Sequence, residues 1–219
     1  MRDKAISRVE SKAIATSPSQ MKHTLPCTFE IDTQSRSDWF TSKVYKMLPN
    51  LSLVLGGAAS GKSLWAENHT LNSGLEPVYL ATSRIFDDEI KIKINFHKKR
   101  RDHRWLNIEA DAELQSALSQ LQPTQAVLID CATMWLTNQM MDEKDLQAAQ
   151  ADFLNAIRTC RAPVVVVSNE VGQGIVPDNA MARTFREAQG RLNIALADQA
   201  DTVVLVTAGL PLVLKGTLA

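Results

Sequence analysis

Apolar residues gather into short blocks from Leu51 onward. Leu51–Leu55, Val78–Ala81, Ala126–Ile129, Val164–Val167 and Thr202–Val206 are brief and almost continuously apolar. Runs this short, with no polar alternation, predict strands covered on both faces. Longer segments with interleaved charges lie between them. Lys62–Asn72 predicts a helix stopping near Gly74, Asp111–Leu121 sets Leu114, Leu118 and Leu121 on one face, and Lys144–Thr159 predicts another helix. Asn179–Gln199 aligns Phe185, Ala188, Leu192 and Ala195. Asp87–Lys99 has apolar residues at 90, 92, 94 and 96, ambiguous by period; its length and acidic start favour a helix. Leu212–Leu214 is a candidate last strand. Strands alternating with helices predict a mostly parallel sheet with helices on both faces.

Residues 1–48 break this rhythm. They are rich in Ser, Thr, Lys and Arg and hold no sustained period, so a mostly disordered extension is expected there. Within it, Ile31 to Val44, with Trp39 and Phe40, is the stretch able to dock locally. The domain is expected over 49–219, just after Met47.

The first strand runs into Gly56-Gly57-Ala58-Ala59-Ser60-Gly61-Lys62-Ser63. With a strand before it and a helix after it, this is a phosphate loop. Glycines let backbone N–H groups turn onto phosphate oxygens, and the helix N-terminus adds partial positive charge. Lys62 is expected to reach the β- and γ-phosphates and Ser63 to hold Mg²⁺. The fold class is therefore an α/β P-loop NTPase of RecA-like type. Such a loop needs an acid on a neighbouring strand tip. Asp130, after Ala126–Ile129, suits that metal role; it also suits a helix N-cap.

Charge sharpens the picture. Lys plus Arg number 24 and Asp plus Glu 24, so no global field draws the chain toward nucleic acid or membrane. No apolar run is long enough for a membrane-spanning helix, and no secretory signal follows Arg2, Lys4, Arg8 and Lys12; a cytoplasmic protein is expected. Cys27, Cys131 and Cys160 are widely spaced and form no Cys-x-x-Cys pair, against a zinc site or disulfide framework. Positive charge concentrates in His97-Lys98-Lys99-Arg100-Arg101-Asp102-His103-Arg104. Three readings stand: a solvated face, a nucleic-acid patch, or a phosphate-binding segment in which His97 attacks a nucleotide's α-phosphate.

Taken together, these residues resemble the bifunctional adenosylcobinamide kinase/adenosylcobinamide-phosphate guanylyltransferase family of cobalamin biosynthesis, from about Leu51 to Lys215. The resemblance is carried by the phosphate loop, Ala81-Thr82-Ser83 with Asp87-Asp88-Glu89, and His97 with Arg101 and Trp105. It continues through Asp130-Cys131, Trp135-Leu136-Thr137-Asn138 and, most diagnostic, Ser168-Asn169-Glu170-Val171-Gly172-Gln173-Gly174-Ile175-Val176-Pro177 with Ala182-Arg183 and Phe185-Arg186. It implies a kinase step on the aminopropanol hydroxyl of adenosylcobinamide. GMP transfer from GTP through a guanylyl-histidine then gives adenosylcobinamide-GDP. By position His97 is the guanylylated residue, with Phe96 before it where some members have a second histidine; His103 is the fallback. Lys62 is its catalytic companion. The implied nucleotide contacts are Gly56, Gly57, Ala58, Ala59, Ser60, Gly61, Lys62 and Ser63, then Thr82, Ser83 and Arg84, Lys98, Lys99, Arg100 and Arg101, with Glu109 and Asp130. Asp130 stands where some members have Glu. The metal site is Ser63 with Asp130, for Mg²⁺; GTP and ATP are substrates. The implied partners are a corrinoid and nucleotides, with a homo-oligomer, a trimer, as assembly. The N-terminal arm is outside the pattern.

The residues also bound the alternatives. A different small-molecule P-loop kinase leaves His97 and Asn169–Pro177 without a role. A regulatory GTP switch lacks its Asn/Thr-Lys-x-Asp tetrapeptide, and neutral charge without aromatic clusters opposes a nucleic-acid-dependent ATPase. Glu170, after the four-valine strand, reads equally as a ligand contact or a surface carboxylate. Arg183, Arg186 and Arg191 read as a solvated helix face, or as contacts to the corrinoid phosphate or a subunit.

Overall fold

The computed structural model describes residues 47–85, 88, 92, 94, 98 and 101–218. The expected N-terminal arm, up to residue 46, lies outside the described residues.

Among the described residues the elements run β1 (Leu51–Gly56), α1 (Lys62–Asn72), β2 (Glu76–Ala81), β3 (Leu106–Glu109), α2 (Gln115–Ser119), β4 (Gln125–Asp130) and α3 (Ala132–Met141). They continue with α4 (Leu146–Thr159), β5 (Val164–Asn169), α5 (Ala180–Gln199), β6 (Thr202–Thr207) and β7 (Leu210–Lys215). The strands form a seven-stranded sheet in the order β3-β2-β4-β5-β1-β6-β7. Its pairs are parallel except for β6 with β7, which is antiparallel.

The four valines show why the strands are uniformly apolar. Val164 and Val166 join a core with Leu118, Trp135, Phe153 and Leu192, from α2, α3, α4 and α5. Val165 and Val167 point the other way, into a core with Ala66 of α1, Tyr79 and Trp105. A strand alternates its side chains between faces, so covering both faces demands apolar residues at every position.

Helix boundaries follow local chemistry. Asp145 caps α4 by accepting from the Gln147 and Ala148 amides, and Asn179 caps α5 by accepting from Ala182. Helix α1 ends before Gly74, whose φ of 74° allows the chain to turn. Of the expected helix over 87–99, the described residues Asp88, Ile92, Ile94 and Lys98 are helical. Over 111–121 the helix is shorter than expected. It spans Gln115–Ser119, with the Glu113 carboxylate on the Ser116 amide, although Leu114, Leu118 and Leu121 are all buried. Two elements were not anticipated: the four-residue edge strand β3 and helix α3. The β6–β7 link is a two-residue turn, with Ala208 at φ 52° and Gly209 at φ 78°, the left-handed pair that a tight hairpin requires.

Candidate active site

Because β1 to β5 are mutually parallel, their last residues open on one edge of the sheet: Gly56, Ala81, Glu109, Asp130 and Asn169. Ligands of open α/β sheets bind at this edge. A cleft of about 1040 Å³ lies there, lined by the phosphate loop from Ala58 to Ser63 together with Ser83, Arg84, Asp130 and Asn169.

Backbone hydrogen bonds hold much of the loop. Ser60 N donates to Gly57 O (3.3 Å), Glu170 N to Gly56 O (3.1 Å) and Gly209 N to Ser60 O (2.8 Å). Gly56 admits no side chain, since a Cβ there would meet the Ser60 hydroxyl and stand 2.7 Å from Val206 O. Gly61 turns the chain into α1 at φ 92°, with no side chain to occupy the helix's first amides. Those amides are free to face an anion. Lys62 donates its Nζ to Gly57 O at 3.0 Å. Burial pushes the Lys62 ammonium below its ordinary range, with Cys131 and Asp130 nearby working against the shift.

Asp130 is positioned by Tyr79, whose hydroxyl donates to Oδ2 at 3.1 Å. Burial, then Asp130, drive the Tyr79 phenol far above its usual range, so it stays a donor. The Tyr79 ring carries the Arg101 guanidinium, with Cζ 3.4 Å from the centroid, and meets Trp105 edge-on at 6.1 Å. Arg101 Nε donates to Asn107 Oδ1, but its buried Nη1 has no hydrogen-bond partner among the described residues.

The far wall is an ion-paired frame. Arg84 donates Nε to Asp111 (2.5 Å) and both terminal nitrogens to the Asp142 carboxylate (2.7 and 2.9 Å). Lys98 Nζ pairs with Glu109 at 3.0 Å. Helix α3 fastens this wall from behind. Fully buried Asn138 donates to Thr82 O (2.7 Å) and Asp111 O (2.6 Å), and Trp135 and Gln139 both donate to Ala112 O.

Residues 52–214 match the family described as cobinamide kinase / cobinamide phosphate guanyltransferase. The chain belongs to this family. It is 37% identical over 179 residues to the bifunctional adenosylcobalamin biosynthesis protein CobU of Escherichia coli strain K12, covering 74% of this chain and 98% of that protein. It is 36% identical over 167 residues to the bifunctional adenosylcobalamin biosynthesis protein CobP of Pseudomonas aeruginosa, covering 75% and 96%. Among solved structures it is similar to the flagellar accessory protein FlaH from Methanocaldococcus jannaschii, with 14% identity, a TM-score of 0.44, and 78% and 80% of the two chains covered.

Of the site expected from the family resemblance, the cleft brings together Ala58, Ala59, Ser60, Gly61, Lys62 and Ser63 with Ser83, Arg84, Lys98, Arg101, Glu109 and Asp130. Gly56 and Gly57 shape the loop from behind its lining. Thr82 faces inward: it is fully buried, and its hydroxyl donates to Cys131 O (2.7 Å) while accepting from Cys131 N (2.9 Å). Its part is to tie β2 to the end of β4. His97, Lys99 and Arg100 lie outside the described residues. Asp130 lines the cleft, and Cys131 takes the N-cap position of α3. Glu170 turns its Oε1 back to the Gly172 amide (2.9 Å). Arg183 donates to Pro177 O and Asp178 O, and Arg186 to Gly174 O and Ile175 O, so both clasp the loop after β5. Arg191 pairs with Glu187 at 3.6 Å. Sequence reasoning missed Tyr79, Asp111 and Asp142; a tyrosine inside a buried strand was the one available signal, because a buried hydroxyl needs a partner.

Proposed function

We propose that the chain phosphorylates the aminopropanol hydroxyl of adenosylcobinamide with ATP or GTP. It then moves GMP from GTP through a guanylyl-histidine on His97, giving adenosylcobinamide-GDP and pyrophosphate. Family membership supports the pair of activities. The observation that carries the site assignment is the phosphate loop sharing one cleft with Lys98 and Arg101, two cations that follow His97 within four residues of sequence. Arg101 Nη1, buried and without a partner among the described residues, is a donor suited to a phosphate oxygen.

In the kinase step the substrate hydroxyl oxygen attacks the γ-phosphorus, the bond to the β–γ bridging oxygen breaks, and the hydroxyl proton leaves to solvent. Lys62 and the first amides of α1 hold the phosphates while charge shifts onto the leaving diphosphate. In the second reaction a His97 ring nitrogen attacks the α-phosphorus of GTP and the bond to pyrophosphate breaks. A phosphate oxygen of the phosphorylated corrinoid then attacks the same phosphorus, and the N–P bond breaks to free the histidine. Ser63 and Asp130 offer a hydroxyl and a carboxylate on the cleft wall, hard oxygen donors that fit Mg²⁺. Bound there, Mg²⁺ would supply positive charge against the phosphates.

The test is incubation with Mg²⁺ and GTP labelled at the α-phosphate, followed by denaturation and a count of protein-bound label. Acid-labile, alkali-stable label that disappears in His97→Ala is the expected result. An unlabelled protein that still binds GTP would reduce the assignment to a P-loop kinase.

A further inference from the structure

Tyr79 carries chemistry that its place in the fold does not require. Its strand neighbours Val78 and Leu80 fill one core with plain hydrocarbon. Tyr79 faces the other core, with Val165, Val167 and Ala66, where packing alone asks for an apolar side chain. A tyrosine adds two things to such a position, a hydroxyl at its tip and a π face. Both are engaged, and both by charged groups that line the cleft.

The hydroxyl reaches Asp130. In the parallel register Tyr79 stands beside Leu128 on β4, and Asp130 lies two residues further along that strand, on the same face. The phenol spans this step and donates to Oδ2 at 3.1 Å. The ring face carries Arg101, whose Cζ lies 3.4 Å from the centroid. Asn107, the register partner of Tyr79 on β3, holds the rim of the same guanidinium by accepting from Nε at 3.2 Å. Trp105 closes the flank edge-on at 6.1 Å. One side chain therefore touches a carboxylate with its tip and a guanidinium with its face. Opposite charges this near attract, more strongly in a partly buried site than in water. A direct carboxylate–guanidinium pair would engage the two groups with each other. The tyrosine gives each a separate contact, and Arg101 Nη1 stays buried with no hydrogen-bond partner among the described residues.

We propose that Tyr79 is a spacer and positioning residue: its hydroxyl orients the Asp130 carboxylate for the metal, its ring presents the Arg101 guanidinium to phosphate, and the side chain as a whole keeps the two from pairing. This rests on reading the cleft as a nucleoside triphosphate site. Tyr79 acts only through Asp130 and Arg101, so its two contacts are separable. Phenylalanine keeps the platform under Arg101 and lacks the tie to Asp130. Leucine keeps an apolar filling and lacks both.

The experiment is calorimetric titration of the full chain with a GTP analogue bearing a methylene between the α- and β-phosphates, which cannot release pyrophosphate. It is run in EDTA and again with Mg²⁺, on the native protein, Tyr79→Phe, Tyr79→Leu, Arg101→Met and the Tyr79→Leu/Arg101→Met double variant. In EDTA, Tyr79→Phe is expected to bind within about twofold of native and Tyr79→Leu about fivefold more weakly. The tightening that Mg²⁺ brings to the native protein is expected to be about tenfold smaller in Tyr79→Phe. With Arg101 already replaced, Tyr79→Leu should change the EDTA affinity by less than about twofold, because the ring no longer has a guanidinium to present. An undiminished Mg²⁺ gain in Tyr79→Phe, or a native protein that Mg²⁺ does not tighten, would overturn the role of the hydroxyl. A Tyr79→Leu loss that persists in the Arg101→Met background would make Tyr79 a packing residue and overturn the proposal. So would parallel losses in both conditions in Tyr79→Phe with a lowered melting temperature. Should Tyr79→Leu fail to fold, the Mg²⁺ gain of Tyr79→Phe decides alone. A native protein that binds the analogue in neither condition sinks the underlying site reading instead.

Discussion

Lys62 and Cys131 face the same cleft and are shifted by the same burial, with opposite consequences. Lys62 is a cation kept in a poorly hydrated place until phosphate arrives. Lys62→Met is expected to lower phosphoryl transfer by at least about a hundredfold in a steady-state kinase assay while the melting temperature stays near the native value. Burial, then Asp130, push the Cys131 thiol up to about 11, from an ordinary 9.0. Between those values the unfolded chain sheds a proton that the folded chain keeps. Stability from this group is thus whole below about pH 9 and declines as pH rises toward about 11. Tyr79 is shifted in the same direction. Melting curves across that range should show an alkaline loss that shrinks in Cys131→Ala, and iodoacetamide at about pH 8 should leave the Cys131 of the folded protein unalkylated. At this scale the phosphate loop was legible because its spacing is a local code. The settings of Thr82 and Arg84 were not: Thr82 meets Cys131 across 49 residues and Arg84 meets Asp142 across 58, pairings that only tertiary structure creates.

Helix α3 illustrates both the reach and the limit of periodicity. It buries residues on several faces, Thr133, Trp135, Leu136, Asn138 and Gln139 among them, so it has no clean amphipathic stripe to read. Its N-cap is Cys131, which makes no side-chain cap bond, and Asp130, the capping candidate read from the sequence, stands one residue before it. Strand β3 escaped for a different reason, being only four residues long and largely exposed on the sheet edge. Helices α4 and α5, with Asp145 and Asn179 as caps, carried the signals α3 lacks. The work of α3 is to brace the loops after β2 and β3. Asn138→Ala would leave the Thr82 and Asp111 carbonyls without their donor. A loss of about 2–3 kcal/mol in urea denaturation is expected, with weaker GTP binding as the Arg84 wall loosens.

For the molecule as a whole, alternation of apolar blocks and helices was enough to anticipate a mostly parallel sheet. It could not give the order of the strands, because every buried strand reads alike. That β5 enters between β1 and β4 is set by which side chains fit together. The two cores lie on opposite faces of the sheet, and Leu192, in the larger one, is not among the residues that line the cleft. Leu192→Ala, at a fully buried position of α5, should therefore cost about 2–5 kcal/mol of unfolding free energy yet leave the GTP dissociation constant within about twofold. Together, denaturant curves and nucleotide titrations on that variant check the separation.

The hydrogen bond from Gly209 to Ser60 joins two parts of the chain with very different apparent importance. One is the middle of the phosphate loop; the other is the turn of the last hairpin, whose outer strand exposes Leu210, Leu212 and Leu214. The hairpin acts as a strut, and a strut transmits load in both directions. Cargo fused behind β7, or a surface that grips its leucines, would pull on the stay that keeps the loop in shape. For anyone preparing the enzyme, an affinity tag or fluorophore at the C-terminal end is consequently not a neutral handle, and nucleotide affinity is the property it would disturb.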